Sequence, residues 1–256
     1  MMRFVIGARS GGAVARIALV LACATLPVDA KAQEQGRGFL FRPPLGSLTI
    51  RGGYALALAH SDFFDFTTDE LTLDRHDFSS PSLDAEFAAR IFERTDLVFW
   101  SSYSGMSKKS EYRHFIDNND APIEQETFFR RIPITVGLRQ YLGAPGRSIG
   151  KLAWIPARTT PYVSAGGGAM WYRFRQKGDF IDMDTFDVFR STYESSGWTW
   201  AAHAAIGLDY SVGPRVALSG ETRYLYSRAS LSRDFSGYDP LDLSGFSTMF
   251  GFTVRF

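Results

Sequence analysis

The chain has 256 residues, of which 45% are hydrophobic and 15% aromatic, and its formal net charge at pH 7 is +1. This near-neutral balance gives no reason to expect a nucleic-acid partner. After Leu26 the sequence contains no apolar run approaching about 18 residues, which argues against a helical membrane protein.

The N-terminal residues predict export. A positively charged start is followed by an apolar run over residues 17–26 and by a small-x-small site that ends at Ala32. This pattern is typical of a secretory signal peptide over residues 1–32, which leaves residues 33–256 as one domain. Lipidation of Cys23, which ends a loose lipobox, is the alternative. If cleavage follows Ala32, no cysteine remains for disulfides or thiol chemistry.

Eight segments alternate between apolar and polar or small residues with a period of two, as strands do. In chain order they are residues 48–59, 82–92, 97–104, 130–142, 161–174, 198–211, 216–227 and 246–256. Each is near the roughly 9–11 residues that a tilted transmembrane strand requires. One face suits lipid and the other suits a small or polar interior. The sequence therefore predicts an all-β fold, a transmembrane antiparallel up-and-down β-barrel of eight strands, with ten strands as the alternative.

The connections alternate in length. Long polar connections lie at 61–80, 105–126, 175–197 and 228–241, whereas 93–96 and 212–215 are tight turns. Transmembrane barrels place long loops outside the cell and short turns in the periplasm. The connection 143–160 is long where a short turn is expected. Pro133 predicts a bulge or a local edge in the fourth strand, because proline cannot donate to a ladder.

Charged residues on the inward parity predict a network in the barrel lumen. They are Arg51, Asp84, Glu86, Arg90, Arg131, Arg139, His203, Asp209, Glu221 and Arg223, to which Arg173 and Arg255 are added. An eight-stranded interior is just wide enough for side chains to fill it. Unpaired buried charges are costly, so we expect both signs to pair into a structural plug, with His203 bonded to Glu221 or Asp209. Alternatively, the same residues line a narrow conduit.

The last strand ends in a pattern that resembles the C-terminal signature of bacterial outer-membrane barrels. Phe252, Val254 and the terminal Phe256 share one parity, and in such barrels the assembly machinery reads this ending. Together with residues 161–168, 205–210 and 216–224, it makes the chain look like small eight-stranded outer-membrane proteins of the OmpW and OmpA-barrel type.

The resemblance implies a multi-pass barrel in the outer membrane of a Gram-negative bacterium. It further implies a monomer, contact with outer-membrane lipid and lipopolysaccharide, and insertion by the barrel assembly machinery. Aromatic residues near strand ends are expected at the membrane interfaces, as in other barrels. They are Trp171, Trp198, Trp200, Tyr210, Tyr224, Tyr226 and Phe256.

The resemblance to outer-membrane barrels also raises the possibility of an enzyme, because some barrels of this kind modify lipids. Those enzymes carry a histidine and a serine two residues apart, and His203 has no such serine. A rearranged set of Ser219, His203 and Glu221 is the remaining candidate for a lipid-modifying enzyme. The other histidines lie in loops without metal-ligand spacing. We predict no catalytic residues, no metal site and no cofactor.

Acidic and aromatic residues mix in the connections 61–80 and 175–197. Strand ends that protrude beyond the membrane would alternate in this way. The functional interpretation is a rim that contacts a partner or collects apolar solutes. The sequence thus predicts a non-enzymatic barrel with an envelope-structural or surface-interaction role through its extracellular loops, and the alternative is a narrow conduit for small apolar solutes.

Overall fold

A computed structural model describes residues 39–117, 120–150, 153–182, 185, 187–235 and 237–256. The predicted signal peptide, its cleavage site and Cys23 lie outside the described residues. In chain order the described strands are β1 Gly46–Ala57, β2 Ser80–Phe92, β3 Thr95–Ile116, β4 Pro122–Tyr141, β5 Gly146–Ile149, β6 Ala153–Pro156, β7 Thr159–Ile181, β8 Val188–Ser211, β9 Val216–Tyr226, β10 Arg228–Ala229, β11 Leu241–Asp242 and β12 Gly245–Arg255.

Eight of these strands close into a barrel in the order β1-β12-β9-β8-β7-β4-β3-β2. All neighbours are antiparallel, and β1 closes the ring by pairing with β12 from Ser47↔Arg255 to Ala57↔Gly245. The predicted eight-stranded up-and-down barrel is confirmed. We call the end with the tight β2–β3 and β8–β9 turns the turn end, and the opposite end the loop end.

Over the residues that the structure describes, helical structure is confined to the loop end. Helix α1 spans Asp62–Glu70, and single 3-10 turns span Arg75–Phe78 and Arg233–Phe235. Among the described residues, no helix has the length and apolar character needed to cross a membrane.

The outer wall carries a continuous apolar band. On β12, Phe250 and Phe252 are 68% and 63% exposed, whereas the inward Met249 and Thr253 are each 2% exposed. Outward aromatic side chains such as Trp198, 62% exposed, stand at the band's loop-side edge. A contiguous apolar surface of this size does not face water, so lipid covers it. We call this band the apolar belt.

Four strands continue far beyond the apolar belt. Strand β3 keeps β2 as a neighbour only to Ser104, and β8 keeps β9 only from Ala202 onward. Beyond those points β3, β4, β7 and β8 form a four-stranded sheet by themselves, which we call the extension. The predicted loops 105–126 and 175–197 are therefore wrong as loops. The interpretation of protruding strand ends is confirmed for 175–197 and is wrong for 61–80, which is mainly helical.

Pro133 interrupts one ladder without a bulge. The β3–β4 pairs run to Ser101↔Ile134 and resume at Ser104↔Arg131 in the same register. On its other side Pro133 stays opposite Met170 of β7. The missing donor thus leaves a local break in the ladder, and the alternative of a bulge is wrong.

The long connection on the turn side is folded. Strands β5 and β6 form a small hairpin, and Leu40 bridges Trp154 through two backbone hydrogen bonds of 2.7 and 2.8 Å. Trp154 is 4% exposed, so this hairpin has a hydrophobic anchor of its own. The length of the connection, which the alternation of loops and turns does not explain, is accounted for by this extra element.

Candidate functional site

Arg51 on β1 is the centre of the charge cluster in the lumen. Its Nε lies 3.1 Å from Asp84 Oδ1, its Nη2 lies 3.1 Å from Glu86 Oε2, and its Nη1 lies 3.3 Å from Glu221 Oε2. All four side chains are at most 1% exposed. One guanidinium therefore meets three carboxylates from β2 and β9, away from bulk water.

Two more arginines complete the cluster. Arg139 on β4 bonds to Glu86 and lies 3.6 Å from Glu221 Oε2. Arg223 on β9 lies 2.6 Å from Glu221 Oε1 and 3.4 Å from Glu86 Oε2. With Arg51 and Asp84, the cluster contains three cations and three anions. Formal neutrality of this kind is what buried charges require, because an unpaired charge in the interior is strongly unfavourable. We call these six side chains the lumen network.

Aromatic rings cover the lumen network on both sides. The guanidinium of Arg139 lies 4.0 Å from the ring centroid of Tyr162, and that of Arg223 lies 3.9 Å from the ring of Trp100. The Tyr162 hydroxyl also donates to Glu221 Oε2 at 3.0 Å. Sequence reasoning missed both rings, although Trp100 has the inward parity on its strand. Cation–π contacts gain strength where water is excluded.

A glycine creates the space for Tyr162. Gly207 on β8 is its direct cross-strand partner, and the ring lies over the glycine backbone. A Cβ atom at Gly207 would stand 2.2 Å from the ring. The small residue on the curved wall is therefore required by close approach of a lumen side chain.

The other predicted lumen residues form separate groups. At the turn end, Arg90 bonds to Asp96, which also accepts a 2.9 Å hydrogen bond from the Tyr141 hydroxyl. Asp209 and Arg255 line a cavity of about 10 Å³ beside them. A cavity of this size holds about one water molecule. These residues point inward as predicted, but they stand one layer below the lumen network.

Arg131 lies at the opposite end of the lumen. Its Nη1 donates to the carbonyl oxygen of Leu243 at 3.0 Å, and its guanidinium lies 5.3 Å from the ring centroid of Phe129. Arg131 is 5% exposed. It therefore ties the β4 wall to the segment that enters β12, and it has no part in the lumen network.

His203 does not pair with a carboxylate. Its ring lies 5.7 Å from that of Trp100, and its Nδ1 has no hydrogen-bond partner within the described ranges. The predicted bond to Glu221 or Asp209 is wrong, because β8 and β9 pair His203 with Leu225, four residues beyond Glu221. The prediction that His203 faces the lumen is right, but its position along β8 does not bring it level with either carboxylate.

The rearranged catalytic set is also wrong. Ser219 stands opposite Asp209, six residues along β8 from His203. At about 3.3 Å per residue this separates serine and histidine by roughly 20 Å, far outside hydrogen-bond reach. The serine hydroxyl instead accepts a long 3.5 Å contact from Arg51.

Arg173 points outward, in contrast to its predicted place in the lumen. Its neighbours Tyr172 and Phe174 are 3% and 0% exposed and hold the inward parity of β7. The Arg173 side chain is 41% exposed and lies 3.1 Å from Glu194 on the outer wall. The apolar pair on either side of it fills the mouth of the barrel, so the arginine is left on the outside.

The mouth at the loop end is filled by a second cluster, which is apolar and which sequence reasoning missed. Helix α1 inserts Phe63 and Phe64, which are 2% and 0% exposed. The Phe63 ring lies 4.9 Å from Phe174 and 5.0 Å from Phe235, in edge-on geometry. We call this cluster the loop-end plug; its fully buried members also include Leu71, Leu73, Phe78, Phe129, Met170, Leu241 and Leu243. Its sequence signal was the aromatic content of connection 61–80, of which Phe63, Phe64 and Phe78 enter the cluster, whereas Phe66 is exposed.

One acidic group near the loop end has the composition of a cation site. Ligand atoms of Asp74, His76 and Asp77 lie within 4.8 Å of one another. Both carboxylates are already used, since they form a reciprocal capping box, and Asp77 also binds Lys108 at 2.7 Å. The group is mostly exposed and is explained by the turn that it caps.

Comparison with protein-family models gave no match, and comparison with curated protein sequences gave none. Solved structures do show similarity of fold. The outer membrane protein OprG from Pseudomonas aeruginosa is 16% identical, with 85% of this chain and 99% of that chain covered and a TM-score of 0.49. The outer membrane protein W of E. coli is 13% identical over 84% of this chain and 100% of that chain, with a TM-score of 0.40.

An enzyme is also among the similar structures. The outer membrane protease OmpT from Escherichia coli is 10% identical over 87% of this chain and 99% of that chain, with a TM-score of 0.34. The strand order, the apolar belt and the polar lumen of this chain are those of a small eight-stranded outer-membrane barrel, so the resemblance inferred from the sequence is confirmed for the fold.

Proposed function

We propose that the chain is a sealed, non-enzymatic barrel of the bacterial outer membrane that acts as a monomer and presents a rigid interaction surface at its loop end. The observation that carries this proposal is the filling of the lumen at two levels. The lumen network occupies the half nearer the turn end, and the loop-end plug occupies the mouth.

The lumen network favours a seal over a conduit. Arg51, Arg139 and Arg223 are each 1% exposed, although arginine is the longest charged side chain. The guanidinium groups of Arg51 and Arg139 reach across the lumen from β1 and β4 to Glu221 on β9, a strand that neighbours neither of them in the ring. A passage along the axis would require these ion pairs to break, which leaves buried charges unpaired.

The loop end favours surface interaction, because its parts are tied into one body. Arg113 at the β3 edge of the extension donates to the carbonyl oxygens of Leu71 and Leu73 at 2.7 and 3.2 Å. At the β8 edge, the Ser232 hydroxyl donates to the Glu194 carbonyl oxygen at 2.7 Å. Both free edges of the extension are thus covered by loops. A preorganised surface loses little conformational entropy when a partner binds.

The two loops that cover the extension are also joined to each other. The Asp239 backbone N–H donates to both carboxylate oxygens of Asp62 at 3.0 and 3.1 Å. This contact links the first residue of α1 to the connection between β9 and β12. The loops therefore hold α1 in the mouth, and they support the seal as well as the surface.

Planar-bilayer conductance of the refolded chain tests the proposal, with and without a small apolar solute. A correctly folded barrel that stays electrically silent under both conditions is the expected result. Stable openings that the solute blocks would overturn the seal and support the alternative, a narrow conduit for small apolar solutes. Cleavage of phospholipid by the same preparation would overturn the non-enzymatic assignment.

A further inference from the structure

An arginine cluster lies on the outer wall just above the apolar belt. Arg130 of β4 and Arg173 of β7 are direct cross-strand partners, and Arg175 follows two residues later on the same face. These side chains border a cleft of about 300 Å³. We call it the arginine cleft; its outward-facing lining includes Tyr103, Gly105, Phe128, Arg130, Arg173 and Arg175.

The arginine cleft has an excess of positive charge. Like charges directly opposite each other on neighbouring strands are destabilising, and Arg130 and Arg173 are placed in this way. Glu194 compensates one of them, at 3.1 Å from Arg173. Within the part of the chain that the structure describes, Arg130 and Arg175 have no ion pair. Their guanidinium groups instead lie 5.6 Å from the Tyr103 ring and 4.3 Å from the Phe128 ring. An anion in the cleft would relieve this repulsion.

The height of the cleft relative to the belt points to the source of the anion. Two residues toward the turn end on the same outward face stand Ile132, Trp171 and Trp198, which pair side by side across β4, β7 and β8. A step of two residues is about 7 Å along a strand. Tryptophan rings mark the membrane–water interface. The arginines therefore stand in the layer that holds phosphate headgroups.

The shape of the cleft also favours a lipid. Gly105 is the cross-strand partner of Arg130, and it places no side chain beside that guanidinium. The rings of Tyr103 and Phe128 line the cleft on two sides. Phe128 lies level with Arg175 on the loop side, whereas Tyr103 belongs to the apolar belt, with 47% of its surface exposed. A molecule in the cleft thus meets guanidinium groups above and a continuous apolar surface below.

We propose that the arginine cleft binds the phosphate of a phosphorylated lipid in the membrane leaflet at the loop end. Arg130, Arg173 and Arg175 donate to the phosphate oxygens, a role for which the planar guanidinium fork is well suited. The acyl chains run down the apolar belt past Ile132 and Trp171. This proposal rests on the membrane placement of the barrel and is independent of whether the lumen conducts.

The test is a lipid titration of the refolded full chain in detergent, followed by tryptophan fluorescence, because the Trp171 ring lies 5.3 Å from the Arg173 guanidinium and Trp198 is the cross-strand partner of Trp171. The probes are lipid A carrying two phosphates, the dephosphorylated lipid, and inorganic phosphate. The double substitution Arg130→Gln and Arg173→Gln is expected to raise the Kd for phosphorylated lipid about tenfold or more. Arg158→Gln is the matched control, since Arg158 lies 5.5 Å from the Tyr210 ring outside the cleft; its Kd is expected to stay unchanged.

Three results would overturn the proposal. Equal affinity for phosphorylated and dephosphorylated lipid would show that the site does not recognise the phosphate. Parental affinity in the double variant would show that Arg130 and Arg173 do not bind the lipid. Displacement of the lipid by an equal concentration of inorganic phosphate would show a free-anion site without a lipid. Arg130→Lys keeps the charge and loses the fork, and a smaller rise in Kd is expected for it. A folded barrel is recognised because its boiled form migrates more slowly on a gel than its unboiled form. If the double variant does not fold by this criterion, Arg130→Lys provides the test in its place.

Discussion

Removing Glu221 tests the lumen network most directly, because this carboxylate contacts all three arginines. It lies 2.6 Å from Arg223, 3.3 Å from Arg51 and 3.6 Å from Arg139. Glu221→Ala leaves three cations against two carboxylates in a space where these side chains are at most 1% exposed. Breaking a buried pair by removing one partner costs about 3–5 kcal/mol. We expect a loss of this size in the free energy of unfolding.

The assay is urea unfolding of the refolded barrel in detergent, followed by the mobility shift between folded and unfolded forms on a gel. Glu124→Ala is the matched control, because Glu124 is an exposed residue of the extension and most surface substitutions change stability by less than about 0.5 kcal/mol. Combining Glu221→Ala with Arg223→Met removes one charge of each sign, so the double variant is expected to lose less than the two single losses added together. Parental stability in Glu221→Ala would refute the network as a stabilising element.

Three further substitutions probe other parts of the barrel. Phe64→Ala removes a fully buried ring from the loop-end plug, and a loss of about 3–5 kcal/mol is expected in the same urea assay. Gly207→Ala places a Cβ 2.2 Å from a buried ring and is expected to cost about 1–3 kcal/mol, whereas Gly52→Ala, which meets nothing within 4 Å, is its neutral control. Partial burial alone would raise the pKa of Asp77, but the hydrogen bond and charge of Lys108 hold this pKa below its usual value of 3.8. The Asp77–Lys108 contact therefore stabilises the folded loop above pH 3.8 and is lost as pH falls through the lowered pKa of Asp77. The expected result at that low pH is a smaller hydrogen-exchange protection factor, relative to the intrinsic rate at the same pH, in residues 72–80. The same loss of protection is expected at neutral pH in Lys108→Gln.

The belt strands were predictable because lipid marks one of their faces. The outward apolar positions of β12 are Phe246, Phe250, Phe252 and Val254, and Phe256 follows in the same parity, so parity and length follow from the sequence. The extension lacks this marker. Residues 105–126 and 175–197 carry polar side chains on the outward face. A strand whose outward face contacts water has a composition similar to that of a loop. The strand pattern was therefore found only where the membrane imposes it.

The partners inside the lumen were less predictable than its membership. Parity shows that Arg51 and Glu221 both face inward, but their contact also depends on the register between neighbouring strands and on the closure of the ring, 170 residues apart in the chain. His203 shows the consequence. It was placed on the correct face, yet a displacement of four residues along β9 separates it from the expected carboxylate. Arg173 has the parity of Trp171, which faces outward at the edge of the belt, so its expected place in the lumen followed from its charge and not from parity.

The two seals differ in physical type, and they stand at different heights of the same channel. The lumen network depends on ion pairs, and the loop-end plug depends on apolar contacts that salt does not screen. Loss of either seal alone leaves the other in place, so neither Glu221→Ala nor Phe64→Ala is expected to conduct in a planar bilayer. The double variant removes a constraint at both levels, and we expect ion currents from it if it still migrates as a folded barrel. Conductance in a single variant would show that the cluster changed in that variant is what closes the barrel and that the other cluster does not close it alone. A folded double variant that stays silent would show that side chains outside both clusters close the barrel.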